Sequence, residues 1–123
     1  MPLVIQFEIT SYWVYLSETL KFPHPNGLGD IFFSHVIHGS GQGPTRLSIF
    51  FQPPDVPVQP NGWDAGRNVG YLVRPISEYP HYLDLLRNEK PVQTRIWTTP
   101  DHHIEVFVTQ EPVGEGEIAG LHP

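Results

Sequence analysis

The sequence predicts an α+β fold, with a mostly antiparallel sheet of about six strands and one principal helix packed on it. Two observations support this class. Several short runs alternate apolar with polar residues, as strands do, while a single segment carries apolar residues at helical spacing. Some strands are apolar on both faces, which indicates a sandwich, a barrel-like closed sheet, or a sheet buried by the helix and a partner subunit.

The N-terminal segment is predicted to begin the sheet. Residues 3–10 alternate and form a strand whose inner face is mostly apolar. Residues 12–22 allow two interpretations. Apolar residues at helical spacing fit a short helix, whereas alternation from residue 12 fits a continued strand that returns at residues 19–22. The aromatic and β-branched content of this segment favours the strand.

The central segment is predicted to contain a hairpin and then a long loop. Two strands, at residues 31–38 and 46–52, are joined by the glycine-rich residues 39–45. This loop lacks the lysine of a phosphate-binding loop, so it is interpreted as a hairpin loop. Residues 53–67 carry four prolines and show no periodicity. We predict a semi-rigid, extended loop there, of a length at which loops commonly carry function.

Residues 68–110 carry the strongest local pattern: strand, helix, strand, turn and strand. Residues 69–74 are apolar on both faces, which predicts a central strand. A helix is predicted over residues 77–88, with Ser77 as its N-cap and Pro80 in its first turn. Four residues at helical spacing should form its buried stripe: Tyr79, Tyr82, Leu83 and Leu86.

Two more strands are predicted after the helix, at residues 92–98 and 104–109. The turn between them contains Pro100 and Asp101, which predicts an antiparallel hairpin whose register the alternation leaves open. The first of these strands could form a right-handed crossover with the strand at residues 69–74. That arrangement would give one parallel pair in a mixed sheet.

Composition bounds the domain organisation and the cellular setting. We predict one globular domain at residues 1–110 and an acidic, glycine- and proline-rich tail at residues 111–123. The chain has no cysteine, which excludes disulfides and thiolate chemistry. No leader-like segment and no membrane-spanning run is visible in the sequence, so we expect cytoplasmic residence without a membrane partner.

Charge bears on the class of partner. The chain has 7 Lys and Arg against 13 Asp and Glu, a formal net charge of −6. Because binding to a phosphate backbone depends on clustered cations, we expect no nucleic-acid partner. We expect a protein partner instead, and specifically a homodimer, since apolar residues on both strand faces exceed what one helix can cover.

The long loop supplies the candidate partner-binding residues. Trp63, Asp64 and Arg67 lie near its end, and Trp and Arg are the residue types that dominate binding hot spots. A tryptophan is costly to leave in water, so Trp63 either meets a partner or plugs the edge of the core. The first alternative assigns Trp63, Asp64 and Arg67 to partner binding.

Seven histidines raise the question of a metal site. His102, His103 and Glu105 are the best candidates, because the last two share a face at the mouth of the hairpin. A further ligand would have to come from His24, His35 or His81. Turn histidines are more often solvated polar residues, and we expect neither a tightly bound metal nor a cofactor.

Three functions fit these observations. The first is a non-catalytic, self-associating protein-interaction module, which the absence of a recognisable catalytic motif favours. The second is a small metal-dependent or acid–base enzyme that uses His102, His103 and Glu105. The third is a barrel with an aromatic lining that binds a small molecule.

Overall fold

The computed structural model describes residues 3–108, which form two sheets and one helical segment. The strands in chain order are β1 (Val4–Ile9), β2 (Ser11–Pro23), β3 (Asp30–Ser40), β4 (Arg46–Gln52), β5 (Gly62–Asp64), β6 (Val69–Pro75), β7 (Val92–Trp97) and β8 (Ile104–Val108). A 3₁₀ turn (Ile76–Glu78) leads into the helix α1 (Tyr79–Asn88). The predicted α+β class is confirmed. The two sheets are not closed into a barrel, so the barrel-like form of the prediction is not the one this chain adopts.

The larger sheet has five strands in the order β2-β3-β4-β6-β5. β3 and β4 form the predicted antiparallel hairpin. β6 lies between β4 and β5, so its predicted central position is confirmed. The parallel partner of β6 is β4, which corrects the predicted crossover to the strand after the helix. That strand, β7, belongs to the other sheet, because the helix carries the chain across the core to the second layer.

The smaller sheet has three antiparallel strands in the order β1-β7-β8. β7 and β8 form the predicted hairpin, and its register places Arg95 opposite Glu105. β1 pairs along the other side of β7, from Val4 opposite Trp97 to Ile9 opposite Val92. The two ends of the described chain therefore meet in one sheet.

Two segments differ from the sequence-based prediction. β2 is a strand, as predicted, but it runs on through residue 23 without a return at residues 19–22. It instead accommodates extra residues in a bulge between Leu16 and Leu20, which keeps it paired with β3. The predicted irregular loop at residues 53–67 contains β5, because residues 62–64 follow the last proline of that segment and can pair with β6.

The helical segment occupies Ile76–Asn88 and ends at the extended Glu89, close to the predicted boundaries. The predicted N-cap is wrong: Glu78 takes that position for α1, and no side chain caps the turn. The predicted apolar stripe contacts the core but is only partly buried, Leu83 and Leu86 included. No residue of this stripe is fully buried, so part of each side chain remains exposed to water.

A core lies between the two sheets and under the helix, and we call it the inner core. Its buried residues come from both sheets: Ile9, Ile37, Leu47, Ile49, Phe51, Leu72, Val92, Ile96 and Ile104. Phe51 anchors the helix, since its ring contacts those of Tyr79 at 5.1 Å and Tyr82 at 5.7 Å between centroids. No helix in the described part of the chain is long and apolar enough to cross a membrane. The predicted tail at residues 111–123 lies outside the described residues.

Candidate functional site

The five-stranded sheet buries a second apolar cluster on the face turned away from the inner core. We call it the outer cluster, and its buried residues are Ile31, Phe33, Val36, Phe50, Val69, Tyr71 and Val73. Cross-strand neighbours on one face of a sheet lie close enough for their rings to touch. Phe50 contacts Phe33 at 4.9 Å, Tyr71 at 5.5 Å and Phe22 at 5.6 Å between ring centroids. The outer face of the sheet thus carries a continuous aromatic floor.

Trp13 and Tyr15 on the edge strand β2 stand beside this floor. They bound a shallow cavity of about 280 Å³ that we call the outer groove, whose walls also include Phe22, Phe33 and Tyr71. The side chains of Trp13 and Tyr15 are 60% and 44% exposed, although both are large and aromatic. An apolar surface of this kind commonly marks a place where something else binds.

A second cavity of about 470 Å³ continues from the outer groove, and we call it the polar pocket. Its walls include Trp13, His38, Arg46, Ser48, Arg67 and Tyr71. His38 and Ser48 are register partners on β3 and β4, and their Nδ1 and Oγ atoms form a hydrogen bond of 2.7 Å. The Trp13 indole packs on the imidazole of His38, with 4.4 Å between the ring centroids.

The protonation of the polar pocket follows from burial and from its arginines. Burial lowers the pKa of His38 below its usual value, and the positive charge of Arg46 acts in the same direction. Burial raises the pKa of Tyr71, while the neighbouring Arg67 guanidinium acts in the opposite direction. At neutral pH the pocket therefore presents a neutral imidazole, two hydroxyl groups and two guanidinium groups.

The structure separates the three residues predicted to bind a partner. Trp63 lies in β5 opposite Gly70 and packs, half-buried, against the inner core. Asp64 and Arg67 stay together, since the backbone N–H of Arg67 donates to Asp64 Oδ1 at 3.2 Å and their charged groups lie 3.7 Å apart. Arg67 lines the polar pocket. Asp64 and Arg67 therefore lie on the other face of the sheet from Trp63.

Of the predicted metal candidates, His103 and Glu105 contact each other, whereas the Nδ1 atom of His102 is buried without a hydrogen-bond partner among the described residues. His103 Nε2 lies 3.2 Å from Glu105 Oε2, and Glu105 also accepts a hydrogen bond of 3.1 Å from Arg95. The backbone carbonyl of His102 accepts a hydrogen bond from the side chain of Asn61. Within residues 3–108 no group of three or more His, Asp and Glu side chains is placed to hold one metal ion.

The three histidines considered as further ligands lie in separate places. His24 Nε2 is hydrogen-bonded to the backbone carbonyls of Pro60 and Asn61, which joins two loops. The His35 ring contacts Tyr79 on the helix side of the sheet, 4.7 Å between centroids. His81 is exposed on α1. Because the His38 ring contacts Trp13 on the outer face, His35 and His38 point to opposite faces of the sheet.

His38, Ser48 and Arg46 were not among the residues predicted from the sequence to form a site. The predicted β3–β4 hairpin could have indicated that two of them are neighbours. If Ser40 pairs with Arg46 across the loop, His38 lies opposite Ser48. Trp13 could be assigned to the same face only by knowing that β2 pairs with β3 along its whole length. Comparisons with protein-family models, curated proteins and solved structures gave no match, so the site is interpreted from its own residues.

Proposed function

We propose that this domain is a non-catalytic protein-interaction module that self-associates through the free edge of β2. The observation that carries the proposal is the exposure of large apolar side chains along this strand. Trp13 is 60% exposed, Leu16 59%, Tyr15 44% and Leu20 41%. Trp13 and Tyr15 pair with His38 and Val36 on the outer face of the sheet, while Leu16 pairs with His35 on the helix side. Both faces of this edge strand therefore expose large apolar side chains, which commonly mark a binding surface.

The edge position of β2 gives this surface a specific mode of binding. β2 pairs with β3 on one side, and among residues 3–108 no strand pairs with its other side. An edge strand presents unpaired N–H and C=O groups, and proteins usually protect such edges with charges, prolines or a bulge. Residues 11–16, Ser-Tyr-Trp-Val-Tyr-Leu, contain no charge and no proline. They precede the bulge, so they form the least protected part of the edge.

A second copy of the chain is the partner that best suits this segment. Two copies of residues 11–16 can pair antiparallel about a two-fold axis, which is the commonest symmetry of soluble oligomers. Trp13 and Tyr15 would then lie near their own copies on one face of a continuous sheet. Because the segment is uncharged, no like charges face each other at this contact, although each chain carries a net charge of −6 elsewhere.

The test is the mass of the protein in solution, measured by light scattering on a sizing column at micromolar concentration. We expect twice the single-chain mass of 14.0 kDa. Leu16→Lys should return a monomer, because a charged ammonium group on an edge strand opposes its pairing with another strand.

Leu28→Lys is the matched control, since Leu28 is also exposed, at 52%, but lies in the loop after β2. It should remain a dimer. A wild-type mass of one chain, or a dimer that persists in Leu16→Lys, would remove the proposal.

A further inference from the structure

We propose that the polar pocket and the outer groove together bind a small aromatic carboxylate. This site goes beyond self-association, because it shares Trp13 and Tyr15 with that surface but takes its other walls from side chains of β3, β4 and β6. The two cavities share Trp13, His38, Ser48 and Tyr71 in their walls, so one ligand can occupy both. The polar pocket, at about 470 Å³, lies in the range of small-molecule sites, and the outer groove, at about 280 Å³, extends it.

The outer groove suits a flat apolar body. Its floor consists of the rings of Phe50 and Tyr71 and the side chain of Val36, which are 4%, 4% and 2% exposed. These residues are fixed by the sheet, so the floor is formed before any ligand arrives. Trp13 supplies the side wall and is held against His38 at 4.4 Å. A planar ring placed between Trp13 and Tyr71 would cover the exposed surface of Trp13 that water now contacts.

The polar pocket suits a negatively charged head group. Arg46 and Arg67 both line it, although the chain has only 7 Lys and Arg in total. Within the described part of the chain Arg46 makes no ion pair, and Arg67 meets Asp64 at 3.7 Å. A guanidinium group can donate two parallel hydrogen bonds to a carboxylate, which gives both affinity and orientation.

The charge balance favours a single negative charge on the ligand. Arg46 and Arg67 contribute two positive charges, and Asp64 beside Arg67 offsets one of them. His38 remains neutral at pH 7, because burial and Arg46 both lower its pKa. The remaining charge of about +1 matches a carboxylate better than a doubly charged phosphate. The hydroxyl groups of Ser48 and Tyr71 line the same pocket and can donate to the second carboxylate oxygen.

The experiment uses 2-naphthoate as the probe and follows the three tryptophan indole N–H signals of isotope-labelled protein by NMR. We expect a saturable shift of the Trp13 signal, with smaller changes at Trp63 and Trp97. The uncharged 2-naphthamide should bind at least about tenfold more weakly, since it lacks the charge that the arginines recognise. Added salt should weaken the binding of naphthoate but not that of the amide.

Arg46→Gln is the decisive variant, and Arg87→Gln, an exposed arginine of α1, is its matched control. Arg46→Gln should weaken naphthoate binding about tenfold or more, and Arg87→Gln should leave it unchanged. If Arg46→Gln does not fold, the salt dependence and the amide comparison on the wild type decide the question.

Several results would overturn the inference. They are the absence of a saturable Trp13 shift at about 1 mM probe, equal affinity for the acid and the amide, and tighter binding of inorganic phosphate than of naphthoate. Repeating the titration on Leu16→Lys separates this site from the self-association proposal. Binding that persists in that variant shows that the pocket belongs to the single chain, whatever its oligomeric state, and binding that disappears there counts against the inference.

Discussion

The backbone of Gly41 lies directly against the carbonyl oxygen of Glu8, so closely that a Cβ atom at Gly41 would overlap that oxygen. The same Cβ would stand 3.3 Å from the ring of Phe7. Gly41 belongs to the loop between β3 and β4, while Glu8 lies in β1. This contact therefore fixes the hairpin of the larger sheet against the first strand of the smaller one.

Gly41→Ala should lower the free energy of unfolding by about 2–4 kcal/mol, because backbone must move away from backbone to admit the methyl group. Gly43→Ala is the matched control in the same loop, since a Cβ there meets nothing within 4 Å. It should change the stability by less than about 0.5 kcal/mol or raise it slightly. Urea unfolding of both variants checks this, and equal midpoints would contradict it.

Leu83→Ala should cost about 2–3 kcal/mol of unfolding free energy, at the low end for a core leucine, because the side chain is only partly buried. His81→Ala, two residues earlier on the exposed side of α1, should change it very little. Denaturant melts of the two variants give the ranking. The reverse order would mean that α1 packs with a different face.

Trp63→Ala should lower the free energy of unfolding by about 2–4 kcal/mol, because half of this large side chain packs against the inner core. The assembly state should not change, since Trp63 lies in β5, at the edge of the five-stranded sheet opposite to β2. The assignment of Trp63, Asp64 and Arg67 to partner binding stays a prediction, and it forecasts the opposite result. A thermal melt and a sizing column on Trp63→Ala distinguish the two.

Acid should destabilise the fold partly through His38. Its pKa in the folded protein is below the usual 6.5, so the unfolded chain takes up this proton first as the pH falls. The contribution of His38 to stability is complete above pH 6.5 and declines below it, toward the lowered pKa. His38→Asn should therefore show a shallower fall in melting temperature between about pH 6.5 and 5 than the wild type. Parallel curves would contradict this.

The parts of the fold that local pattern determines could be predicted from the sequence. The stripe at Tyr79, Tyr82, Leu83 and Leu86 predicts α1, because one face of a helix must be apolar to pack. Alternation on either side of Pro100 predicts the β7–β8 hairpin, since pairing there is between neighbours in the chain. The central position of β6 follows from apolar residues on both of its faces.

The parts that depend on distant pairing could not be predicted. The parallel pairing of β4 with β6 depends on the path of residues 53–68. This proline-rich segment has no periodic pattern of apolar residues from which that path could be predicted. For the same reason β5 could not be predicted, and neither could the packing of Trp63 against the inner core. The polar pocket needs β2, β3, β4 and β6 side by side in one sheet. The β3–β4 hairpin could have paired His38 with Ser48, but no local pattern brings Trp13 or Arg67 beside them.

The pairing of β1 with β7 also has a consequence for the time at which the chain can fold. Ile9 pairs with Val92, so roughly 80 residues must be synthesised before β1 can meet its partner, which takes about 4–16 seconds at typical rates of translation. During that interval the hairpin of β3 and β4 can form, but Phe7 and Ile9 have no sheet to join. A chaperone that binds emerging apolar strands would find β1 as its earliest target, and a circular permutant that begins at β2 and places β1 directly after β8 should shorten the wait.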